Sequence, residues 1–148
     1  MKNLLFSLLA VLIWSNTSPA NPKIHYELQT RIDQLTDNSR LNIYVLFNDH
    51  LSLNDFSDIS YDTPRQERRN TVVSRLKSYS DAYQRNVREY LNIKSTEGVI
   101  SGYEILWMTN SIVMSATADV IYDIAEFDNV KLICFDPEFP SEMLHDSK

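Results

Sequence analysis

The chain reads as an α+β fold: a split βαββαβ unit whose four strands form one antiparallel sheet, with two helices on one face and a short N-terminal helix in front. Three observations predict it. Ile105 to Phe135 (ILWMTNSIVMSATADVIYDIAEFDNVKLICF) runs strand, tight turn, strand, short helix, strand. Leu41 to Phe47 (LNIYVLF) is an upstream strand of alternating faces. Between the two lies one long stripe of helical periodicity.

In chain order, residues 1–20 stand apart from the fold. Lys2 supplies a positive start, Leu4 to Trp14 (LLFSLLAVLIW) an apolar run, and Ser18-Pro19-Ala20 the small residues that a signal peptidase reads. Cleavage after Ala20 and a secreted or periplasmic destination are expected. The run is too short to span a bilayer, and no Cys follows it to carry a lipid, so no membrane attachment is expected once the leader is gone. Its removal takes one of the 14 basic residues, Lys2, and none of the 20 acidic ones, moving the net charge from −6 to −7. An acidic chain is a poor partner for nucleic acid. Cys134 is the single cysteine, which excludes an intrachain disulfide and reads as an inert thiol within a strand. With only Gly98 and Gly102, no Gly-rich phosphate loop can form.

Residues 21–40 read as an N-terminal helical extension. Ile24, Leu28, Ile32 and Leu35 share helical spacing, and Asp37-Asn38-Ser39 is a turn. The main domain then spans 41–136. In its first strand Ile43, Val45 and Phe47 face one way, Tyr44 and Leu46 the other. Residues 48–62 are a polar surface loop. Thr63-Pro64-Arg65-Gln66 predicts a helix start, with Thr63 capping, Pro64 first in the helix and Gln66 completing a capping box. The stripe Val72, Val73, Leu76, Tyr79, Tyr83, Val87, Tyr90, Leu91 predicts one helix of about seven turns, packed on the core. Arg65, Arg68, Arg69 and Arg75 read as its solvated side.

Val99 to Trp107 predicts the second strand, weakened or bulged at Gly102. Thr109-Asn110 makes the hairpin turn into Ser111–Ala116. Thr117 is placed to cap a helix bearing Val120, Ile121, Ile124 and Ala125, which Asp128-Asn129 ends before the strand Val130–Phe135. The first and last strands are apolar on both faces. With both helices on one side, Tyr44, Leu46, Ile133 and Phe135 are expected on an open face suited to an interface. The N-terminal helix folded back over that face is the other arrangement the sequence allows.

No catalytic constellation is visible, and an enzyme is not expected. His25, His50 and His145 are scattered, and Asp49, Asp55, Asp58 and Asp62 do not match a calcium loop, so no metal or other cofactor is expected. Residues 137–148 read as an extended tail. Pro137 and Pro140 restrict the backbone, and Phe139, Met143 and Leu144 are side chains that a strand added to a partner would seat in pockets. A frayed terminus fits the same stretch equally well.

Taken together, the LNIYVLF strand, the long helix, NSIVMSAT, ADVIYDIAEF and VKLICFD with its tail resemble the propeptides of subtilisin-like serine proteases and their stand-alone inhibitor relatives, over residues 41–142. The resemblance implies a ferredoxin-like sandwich that docks its open sheet face on the protease and lays its C-terminal segment in the substrate cleft. Asp136 would cap a protease helix N-terminus, where a carboxylate meets unpaired N–H groups. Phe139 would fill the large apolar pocket, and Pro140, Ser141 and Glu142 would follow along the cleft, with Met143 and Leu144 beyond. The implied protein is a free-standing inhibitor or folding helper, monomeric when free. An exported module that self-associates, or binds a structural partner through the same face, is the reading from another class.

Overall fold

Alternating apolar residues build the sheet. The computed structural model describes residues 21–137. In it Leu41–Phe47 (β1), Tyr103–Leu106 (β2), Ser111–Ala116 (β3) and Val130–Phe135 (β4) form one antiparallel sheet ordered β2-β3-β1-β4. Arg65–Tyr83 (α2) and Arg85–Thr96 (α3) connect β1 to β2, Ala118–Ala125 (α4) connects β3 to β4, and Tyr26–Asp33 (α1) precedes β1. The fold is α+β with the succession βαββαβ. It departs from a plain ferredoxin-like sandwich in its broken first crossover helix and in the segment ahead of β1.

The core lies on one side of the sheet. Ile43, Val45, Phe47, Ile112, Met114, Val130 and Ile133 are buried with Val87 and Leu91 of α3 and Val120, Ile121 and Ile124 of α4. Burial of each such side chain contributes about 1.5–3 kcal/mol.

β1, β3 and β4 span the residues expected of them, whereas β2 is shorter than Val99–Trp107. The chain spends residues 98–102 leaving α3. Gly98, at φ +73°, closes a Schellman turn in which its N–H donates to the Ser95 carbonyl at 3.0 Å and Val99 N–H to the Lys94 carbonyl at 2.9 Å.

The long helical stripe is not one packed surface. α3 buries Val87 and Leu91, but α2 leaves Val72, Val73 and Leu76 only half-buried. The helix is interrupted at Gln84, which is fully buried. There Asn129 Nδ2 donates to the Tyr83 carbonyl at 2.7 Å, while Gln84 N–H to Ser80 O (3.0 Å) and Arg88 N–H to Gln84 O (2.9 Å) keep the ladder running. The result is a one-residue break between α2 and α3.

Ahead of this break α2 packs on the 48–62 loop. Arg75 makes a two-pronged pair with Asp58 at 2.6 and 2.8 Å and lies over the Phe56 ring. The expected capping box at Thr63 is absent. Pro64 is the N-cap, with no side-chain bond, and Gln66 donates instead to Asn70 Oδ1 at 2.9 Å. A capping box does form in the loop, between Ser52 and Asp55 around the short 3-10 turn Leu53–Phe56. Thr117 begins α4 through its backbone carbonyl only, which accepts Ile121 N–H at 3.1 Å.

The N-terminal segment does not cross the open face. Leu28 and Ile32 of α1 join the core, Gln29 Nε2 donates to Tyr122 Oη of α4 at 2.9 Å, and the Arg31 guanidinium lies 3.7 Å from the Phe135 ring centre. Just before α1, residues 21–25 run as a strap along the outer edge of β4. Ile24 bridges Ile133 in parallel, with His25 N–H on the Ile133 carbonyl at 2.9 Å and Ile133 N–H on the Lys23 carbonyl at 2.7 Å. The strap closes an edge that would otherwise be open to pairing.

Candidate protein-binding face

The side of the sheet away from the helices is built in rows across the strands. Leu106, Ser111, Leu46 and Leu132 form one row; Glu104, Val113, Tyr44 and Cys134 form the next. A third row, Ser115 and Asn42, continues to Asp136, whose N–H donates to the Asn42 carbonyl at 2.9 Å. The face therefore grades from aliphatic near the β2–β3 hairpin to polar where the chain leaves β4. On β3, Ser111, Val113 and Ser115 are buried between the residues of β1 and β2.

Two of the four residues expected on this face lie on the other one. Tyr44 and Leu46 are on it, half-buried. Ile133 is fully buried opposite Val45, and Phe135 lies opposite Ile43 beneath Arg31, so both face the core. The cause is a β-bulge: Leu46 pairs with Leu132 but Phe47 with Val130, leaving Lys131 as an extra residue. Strict alternation from Val130 then assigns every later side chain of β4 to the wrong face. Leu132 and Cys134, which sequence reasoning missed, replace them. The exposed Lys131 beside an otherwise apolar strand was the available signal.

Cys134 ends the second row, on the edge strand β4. Burial among its neighbours raises the thiol pKa above its ordinary value, and the charge of Glu27 adds to the rise, so the group stays a protonated, weakly nucleophilic thiol. Among the described residues no group of three or more His, Cys, Asp or Glu side chains is placed to hold a metal ion. His25 packs against Tyr26, and Asp58 is engaged by Arg75.

Asp136 is the last of the proposed binding residues within the described part of the chain. Phe139, Pro140, Ser141, Glu142, Met143 and Leu144, and the expected leader 1–20, lie outside it. No family model, curated protein or solved structure matches the chain.

Proposed function

We propose that the protein is exported and binds a subtilisin-like serine protease, as an inhibitor or folding helper, with the open sheet face against the enzyme and the C-terminal tail in its substrate cleft. The observation that carries this reading is the run of the face from a largely aliphatic row through a mixed one into the polar row ending at Asp136, where the chain departs toward the tail. Three strand spacings of about 4.8 Å and six residues of about 3.4 Å give the face a footprint of about 290 Å². A stable complex buries about 800 Å² on each partner. The face alone is too small, and the tail supplies the remaining contact.

The test is titration of residues 21–148 into a panel of subtilisin-like proteases. Deleting residues 137–148 is expected to weaken inhibition by about a hundredfold or more, about 2.8 kcal/mol, with the melting temperature nearly unchanged. Equal inhibition by the truncated protein overturns the tail's role. Failure to inhibit any protease, with concentration-dependent dimers in sedimentation, replaces the reading with self-association through the same face.

A further inference from the structure

The corner where the strap begins supports a second reading, which rests on removal of residues 1–20 and is independent of the protease. Asn21 opens a tight turn. Its Oδ1 accepts Lys23 N–H at 3.0 Å, its carbonyl accepts Ile24 N–H at 2.9 Å, and its Nδ2 donates to Glu126 Oε1 at 3.3 Å. Lys23 Nζ donates to the Phe127 carbonyl at 2.8 Å, just beyond the end of α4. The chain then passes directly into the Ile24–Ile133 bridge.

Cleavage after Ala20 would turn the Asn21 backbone nitrogen from a neutral amide into an ammonium. That nitrogen belongs to the residue already touching Glu126, beside the end of a helix whose carbonyl dipoles favour a cation. We propose that this corner is a binding site for the newly formed N-terminal ammonium, paired with Glu126, which locks the strap onto α4 and β4 only after the leader is removed. The other charged or titratable groups of the strap, the α4–β4 turn and the start of β4 are Lys23, His25, Asp128 and Lys131. Lys23 is committed to the Phe127 carbonyl, and Glu126 is the acid in contact with Asn21. The strap holds β4, and β4 leads to Asp136, so processing tightens the strand from which the tail departs.

An ammonium paired in the folded state has its pKa raised above the ordinary value of about 7.7–8.0. Its contribution is complete below that ordinary value and fades as pH rises through the folded one. The experiment compares residues 21–148 with a free Asn21 amino group, the same chain acetylated there, and both with Glu126→Gln. The readouts are hydrogen exchange of the Ile133 and His25 amides at pH 6 and the pKa of the amino group by NMR. The free form is expected to exchange more slowly than the acetylated form by about three- to tenfold, the factor that a pKa rise of about half to one unit represents. Glu126→Gln is expected to abolish the difference; Glu126 is exposed, so the variant folds. Equal exchange in free and acetylated chains, a difference that survives Glu126→Gln, or an exported protein whose first residue is not Asn21 each overturns the proposal.

Discussion

Asn110 joins three parts of the fold through one polar side chain, and it does so from a conformation few residues accept. Its φ is +46°, in the left-handed region that asparagine tolerates better than other side chains, and it is almost wholly buried. Its Oδ1 accepts from Gln84 Nε2 at 2.9 Å and its Nδ2 donates to the Asp49 carbonyl at 2.6 Å. One amide thus ties the β2–β3 hairpin to the break between α2 and α3 and to the loop after β1. Asn110→Ala would leave a buried donor and acceptor unpaired and a Cβ residue in an unfavourable backbone well. The expected cost is about 2–4 kcal/mol, read from the denaturant midpoint. Asn110→Gly keeps the backbone at ease while losing both bonds, so its cost is expected to be smaller. A loss under about 0.5 kcal/mol in the alanine variant would show that the knot contributes nothing. The turn asparagine was legible in the sequence. Its partner Gln84 was not, because a buried glutamine 26 residues away leaves no periodic trace.

At the scale of elements, β4 and α2 show where sequence patterns stop carrying information. β1, β3 and α4 were legible because their apolar periodicity matched the buried core positions. The face of β4 was not, since a one-residue bulge reverses the phase without altering composition. The two faces are separable by mutation. Ile133→Ala should cost about 2–5 kcal/mol, as for other core truncations. Leu132→Ser should cost under about 1 kcal/mol in stability yet weaken any partner bound on the open face; the reverse ranking in thermal melts would contradict the register. For α2, the apolar stripe promised a core helix, but the helix breaks at Gln84 and α2 lies on the 48–62 loop, where an ion pair and a ring contact hold it. Hydrogen bonding from Arg75 lowers the Asp58 pKa to about 2. A depressed carboxylate contributes above its unfolded pKa of about 3.9 and is lost as pH falls through about 2. Acidification from about pH 4 to 2 should therefore loosen the loop against α2, seen as faster exchange of the Arg75-side amides, and Asp58→Asn should remove that pH dependence.

For the whole molecule, the limits of the folding unit decide what can be cut away. The proposed protease-binding domain is taken from residue 41, with residues 21–40 as an extension ahead of it. The core argues otherwise, because Ile24, Leu28 and Ile32 are buried in the same cluster as β1 and β4, and the strap supplies both hydrogen bonds on the outer edge of β4 at Ile133. At about 1.5–3 kcal/mol for each side chain, their loss removes about 5–9 kcal/mol. A domain of this size has only about 5–15 kcal/mol of net stability. A chain starting at Leu41 is thus expected to be largely unfolded, or to pair through its bared β4 edge into aggregates. Loss of residues 137–148 touches none of these contacts among the described residues and should leave melting almost unchanged. Parallel thermal melts and sedimentation of the two truncations measure the contrast. A monomeric, cooperatively melting protein that begins at Leu41 would show that the strap and α1 are ornaments on an independent sandwich rather than part of its core.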